Sequence, residues 1–134
     1  MIIVDTSIWS GVLRRANDPN LTAVITQLIA NDQIVMLGPI RQEILSGIRE
    51  PERFALLRTR LAVFADLALT REDYEEAAGL FNQCRAKGIQ GSNVDFLICA
   101  VAIRRDLWIY TSDRDFEYFA QLLPLKLYSP SIEG

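Results

Sequence analysis

The chain has 134 residues, enough for one compact domain, and half of them are hydrophobic, so a real core is available. It contains no histidine and carries a formal net charge of -3. The first fact removes Ser-His-Asp and Cys-His catalysis; the second argues against a broad basic face for nucleic acid, although carboxylates gathered around a cation would lower the charge in the same way.

In chain order, Ile2-Ile3-Val4 reads as a buried β-branched strand, and Asp5-Thr6-Ser7 behind it suits the start of a helix at Ile8. A second helical pattern covers Leu21 to Ala30. Ile34 to Leu37 reads as another buried strand, and Gly38-Pro39 leads into a helix with the proline near its first position. Pro51 to Leu61 is helical. Thr70-Arg71-Glu72-Asp73 resembles a capping box with Asp in the usual Glu position, opening a long helix that stops near Lys87-Gly88. Ser92 or Asn93 caps a helix running from Val94 into Arg104-Arg105. Leu107 to Tyr110 is a strand, Thr111 to Asp115 a turn, Phe116 to Leu122 a short helix, and Leu125 to Tyr128 a last strand.

Strands separated by helices imply an α/β fold with a mainly parallel sheet covered on both faces and ligands at the carboxyl ends of the strands. No repeat or linker divides the chain, so residues 1–134 are expected to form a single domain. No run approaches the roughly 18 apolar residues of a membrane span, and the amino terminus lacks the pattern of a signal peptide. A cytoplasmic protein is expected. Cys84 and Cys99 lie in apolar helical patterns without Cys-x-x-Cys spacing, which predicts buried free thiols.

Several carboxylates sit where a solvent-facing acid would not. The ten residues from Val94 to Ile103 hold nine apolar side chains and one charge, Asp95. Unpaired and buried, that charge would cost several kcal/mol, so a bound metal or cation explains more than a first-turn Asp that only complements the helix dipole or bonds to the cap. Asp5 follows a buried strand directly; a helix N-cap is the competing reading. Glu43, beside Ile44 and three residues after Ile40, borders the core side of its helix, or is a solvated edge. Asp113 and Asp115 follow the strand that ends at Tyr110, where Ser112 could cap the helix and Asp115 complete a box. Capping accounts for each acid singly but not for their convergence on strand ends. Carboxylates select hard cations such as Mg²⁺ and Mn²⁺, and a pair of such ions supports phosphodiester hydrolysis without histidine.

Four stretches carry a resemblance: Ile3-Val4-Asp5-Thr6-Ser7-Ile8-Trp9, Arg41-Gln42-Glu43-Ile44-Leu45-Ser46-Gly47, Asp95-Phe96-Leu97-Ile98-Cys99-Ala100 and Thr111-Ser112-Asp113-Arg114-Asp115-Phe116. In order and spacing the chain resembles the PIN-domain nucleases, specifically the VapC-like toxins of toxin-antitoxin pairs. The resemblance implies a three-layer α/β/α sandwich, Mg²⁺ or Mn²⁺ at an acidic cluster, endonucleolytic cleavage of RNA, a homodimer, and inhibition by a cognate antitoxin. Asp5, Glu43, Asp95 and Asp113 match the family's catalytic quartet, and Asp115 shares or replaces Asp113 as a metal ligand. Thr6 and Ser7 match positions that orient Asp5, with helix capping as the alternative.

Of the 14 basic residues 12 are arginine. The stretch with Arg49, Arg53, Arg58 and Arg60 suggests contacts to RNA phosphate or to an acidic patch on the antitoxin, or else a solvated helix face. Two rival functions remain at this level. A phosphorelay receiver needs an Asp after a middle strand, which Leu37-Gly38-Pro39 does not offer, and a silent interaction module predicts no metal binding.

Overall fold

The computed structural model describes residues 1–13 and 18–130. In chain order the elements are β1 (Ile2–Val4), α1 (Thr6–Leu13), α2 (Pro19–Ala30), β2 (Ile34–Val35), α3 (Gly38–Leu45), α4 (Pro51–Leu61), α5 (Arg71–Ala86), α6 (Asn93–Arg105), β3 (Trp108–Tyr110) and α7 (Asp115–Leu122). The three strands are parallel in the order β2-β1-β3, with Ile2 opposite both Ile34 and Trp108. All of β1 is buried; because strand side chains alternate, both faces of the sheet are covered, as an α/β sandwich requires. The chain leaves β1 toward one side of the sheet and comes back on the other. The carboxyl end of β1 is therefore a topological switch point, where open α/β sheets hold their ligands.

Helix ends follow local chemistry. At α5 the Thr70 hydroxyl accepts from the Asp73 N–H while Asp73 accepts from the Thr70 N–H, and Ser92 and Asp95 do the same at α6. The second helix starts earlier than the hydrophobic period indicates, because Asp18 caps it by accepting from the Asn20 and Leu21 N–H groups and Pro19 fits its first turn. Every residue of α6 from Phe96 to Ala102 is buried, so this helix is core on all sides.

Two strand expectations need correction. The second strand stops at Val35, since Met36 bridges instead to Asp66 and Gly38-Pro39 turns the chain into α3. Leu125 to Tyr128 is no strand: Leu127 makes an isolated parallel bridge to Ile109. Pro124 and Pro130 bracket that segment, and neither has an N–H to extend a ladder.

Tertiary ties hold α3 and α6 in place. Arg41 of α3 donates from Nε to Asp66 at 3.0 Å and from its terminal nitrogens to the Leu61 and Phe64 carbonyls at 2.8 and 2.6 Å. Arg53 of α4 donates to the Leu13 carbonyl and so ties α4 to the end of α1. Gly91, just before α6, lies against rings: a Cβ there would meet Phe119 at 2.5 Å and Phe96 at 3.0 Å. Only glycine lets the entry to α6 sit this close, and that seat places Ser92 and Asp95.

Candidate active site

Asp5 emerges from the central strand into a buried position, with 6% of its surface exposed. Its side chain does not cap α1. Oδ2 accepts from the Ser7 hydroxyl at 2.9 Å and the Thr111 hydroxyl at 2.8 Å, which supplies the partners a buried carboxylate needs. The same hydroxyl oxygens accept in turn from backbone: Ser7 from the Ser112 N–H at 3.1 Å, Thr111 from the Asp113 N–H at 3.0 Å. Asp5 is thereby stitched to the loop between β3 and α7.

In that loop the expected box of Ser112 and Asp115 does not form. Asp113 takes the turn-closing role, its Oδ1 accepting from the Asp115 N–H at 2.9 Å, and α7 begins without a side-chain cap. This leaves the Asp115 carboxylate free of the helix end. Asp95, Asp113 and Asp115 each offer an oxygen, all within 4.8 Å of one another. Asp95 closes the helix cap, its Oδ2 accepting from the Ser92 N–H at 3.0 Å, and the carboxylate also lies with the other acids. Burial, together with the charges of Asp5 and Asp113, pushes the Asp95 carboxyl up against the opposing pull of its hydrogen bonds to Ser92.

Glu43 stands outside this tight group. It is exposed on α3, where its Oε1 accepts from the Thr6 hydroxyl at 2.9 Å beside an open hollow lined also by Gln42, Ser46 and Val94. Thr6, the first residue of α1, thus joins α3 to the strand-to-helix junction that holds Asp5. Sequence reasoning missed Thr111, a hydroxyl donor 106 residues from its acceptor. Its only signal was a polar residue placed at the end of a strand.

The donor set suits a hard divalent cation: oxygen only, several negative charges, and a mutual spacing that one ion bound at about 2.0–2.6 Å from each oxygen would span. The carboxylates also lie at the switch point of the sheet. The PIN domain family model matches residues 2–122. The chain belongs to the PIN domain family. Among PIN proteins it is 30% identical to VapC ribonuclease Mb1587 of Mycobacterium bovis and to ribonuclease VapC11 of Mycobacterium tuberculosis, in each case over 96% of this chain and 98% of the relative. It is a VapC-like PIN protein, which removes the phosphorelay receiver from the readings.

Solved structures agree on the fold. The crystal structure of VapBC2 from Rickettsia felis, bound to a DNA fragment from their promoter, superposes with a TM-score of 0.79 at 18% identity over 98% of this chain and 100% of that one. FitAcB from Neisseria gonorrhoeae gives 0.76 at 20% identity over 97% and 98% of the two chains. The sarcin-ricin loop cleaving toxin VapC20 of Mycobacterium tuberculosis gives 0.66 at 18% identity over 92% and 96%. Among the described residues no helix is long and apolar enough to cross a membrane.

Proposed function

We propose that this PIN protein is a Mg²⁺- or Mn²⁺-dependent endoribonuclease, the toxin of a toxin-antitoxin pair, working as a homodimer in the cytoplasm and folding as one domain over residues 1–134. The observation that carries the reading is the group of Asp95, Asp113 and Asp115 at the carboxyl end of a parallel sheet, facing Asp5, in a chain without histidine. The VapC ribonucleases at 30% identity support the ribonuclease and the toxin assignments, and VapBC2, named as a VapB–VapC pair, supports a protein antitoxin.

In this reading Asp5, Asp95, Asp113 and Asp115 hold the cations and Glu43 completes the acidic rim. Mg²⁺ or Mn²⁺ held by these residues would supply Lewis-acid stabilisation of the phosphoryl oxygens and would make water acidic enough to lose a proton and act as the nucleophile. The protein's own part is to keep each oxygen in place. Ser7 and Thr111 fix the orientation of Asp5, Thr6 holds Glu43, and Ser92 holds Asp95. Water would attack phosphorus in line and release a proton to solvent, while the bond to the 3′-oxygen breaks and that oxygen takes up a proton; the RNA 2′-hydroxyl is a bystander.

End-group analysis of cleaved RNA tests this. The expected products carry 5′-phosphate and 3′-hydroxyl ends, and EDTA abolishes cleavage. A 2′,3′-cyclic phosphate, or full activity in chelator, would overturn the mechanism. Sedimentation equilibrium is expected to give twice the mass of the 15.2 kDa chain.

A further inference from the structure

Next to the carboxylates lies a cavity of 330 Å³ that the hydrolysis just described leaves unused. It shares Asp113 with the acidic group and is walled by Ser112, Arg114, Glu117, Tyr128 and Ser129. Its volume falls within the roughly 300–1,000 Å³ of small-ligand sites. The lining matches the mixed chemistry of a nucleotide: the Arg114 guanidinium, the rings of Phe116 and Tyr128, hydroxyls, and two carboxylates, Asp113 toward the acidic group and Glu117 on the wall.

Arg114 sits between Asp113 and Asp115, is exposed, and makes no ion pair with an acid among the described residues. A guanidinium next to a phosphodiester site and not committed to the fold is placed to take a phosphate in a forked contact. Tyr128 is held from behind. Its ring packs edge-on against Tyr110 with centroids 5.3 Å apart, and its N–H donates to the Ile109 carbonyl at 2.7 Å. A ring already fixed loses little freedom when a base stacks on it. Glu117 would repel a phosphate but accepts readily from a base N–H, so its place in the wall sorts the ends of a nucleotide: phosphate toward Arg114, base toward Tyr128 and Glu117.

We propose that this cavity is a nucleotide subsite of the ribonuclease, in which the base of the residue flanking the scissile phosphate stacks on Tyr128 while Arg114 holds its phosphate and Glu117 reads its edge. The inference rests on the ribonuclease reading above, but it concerns sequence preference and not the chemistry of the cut. An RNA strand drawn across Asp113 enters the cavity without leaving the acidic group, which places the base that selects the site one position from the bond that breaks.

The test is a backbone NMR titration of the full chain with Mg²⁺ present, using the four ribonucleoside 5′-monophosphates as probes. Shifts are expected to cluster at Ser112 to Glu117 and at Tyr128 and Ser129. Arg114→Gln and Tyr128→Leu should each weaken binding about tenfold, with Tyr128→Phe within about twofold of wild type. Glu117→Gln should change the order of affinity among the four bases. Arg114 is exposed at a helix start, so its variant reports on binding even where Tyr128→Leu unfolds. Shifts confined to the carboxylates, affinity unchanged by Arg114→Gln, or an unaltered base order in Glu117→Gln would each overturn the subsite. The two readings fail separately: a chain that cleaves RNA but binds no nucleotide in the cavity sinks only the subsite, whereas one that binds nucleotides there and never cleaves sinks the nuclease.

Discussion

The Asp95 carboxylate closes the capping box of α6 and also faces Asp5 and Asp113, so one side chain carries a structural and an electrostatic load. Replacing it by asparagine separates them. The amide oxygen still accepts from the Ser92 N–H, while the charge that burial, Asp5 and Asp113 disfavour is gone. Calorimetry of Asp95→Asn in chelator is expected to give a Tm equal to or above that of wild type, and the gain in Tm on adding Mg²⁺ should be largely lost. A fall of several degrees in chelator would mean that the cap needs the charge. Thr111 offers a second separation. Thr111→Val keeps the shape but removes the donor to Asp5 and the acceptor for the Asp113 N–H, at an expected cost of about 1–2 kcal/mol. RNA cleavage should drop about tenfold or more, since about 1.4 kcal/mol of lost transition-state stabilisation already amounts to that factor. Thr111→Ser should restore both urea stability and rate; rescue of stability alone would leave the hydroxyl a structural group only.

At the scale of elements, the start of α5 is bound to the end of α6 through Asp73. Its carboxylate is fully buried, accepts from the Thr70 N–H at 2.8 Å, and pairs with Arg104 at 3.0 Å and Arg105 at 2.6 Å. Burial works against the charge, yet the Thr70 N–H and the two arginines outweigh it and hold the pKa at about 2, below the ordinary 3.8. A depressed folded-state pKa means that the contribution is present above pH 4 and is lost as pH falls from about 4 to about 2. The size is about 2 kcal/mol. Urea unfolding at pH 5, 3 and 2 should show that loss in wild type, and a shallower one in Asp73→Asn, where the group no longer titrates. Asp73→Ala should cost about 3 kcal/mol at neutral pH, the low end for a broken buried pair because both arginines reach solvent. This tie also fixes the far end of the helix whose first turn carries Asp95, so loosening it is felt at the site.

Over the whole molecule, the order β2-β1-β3 brings acids from the start and from the later part of the chain to the carboxyl end of the sheet, in a protein whose net charge is already negative. Gathered carboxylates repel one another until a cation neutralises them, so the proposed divalent binding would be linked to folding. Saturating Mg²⁺ at low salt is expected to raise the Tm by roughly 5–10 °C in a single unfolding transition. An unchanged Tm would refute the metal assignment, and two separate transitions would refute a single domain.

Much of this was readable from neighbours in sequence. The strand at Ile2–Val4, the box of Thr70 with Asp73, the cap at Ser92 and the apolar run around Asp95 all depend on interactions within a few residues, and such signals survive in a linear text. The order of the four acidic motifs was legible too, because three of them lie at helix starts and Glu43 follows Pro39 within the same helix. Which of them meet, and what holds them, depends on contacts between segments far apart in the chain. Ser7 and Thr111 converge on Asp5 from positions more than a hundred residues apart, Glu43 hangs from Thr6 outside the tight group, and Asp115 joins that group because Asp113 has taken over the turn. Hydrophobic periodicity says that a strand is buried but not which strand lies beside it. It could not foresee that β1 would sit between β2 and β3, nor that the segment after Pro124 would keep a single bridge, since both depend on which edges of the sheet the rest of the chain leaves open.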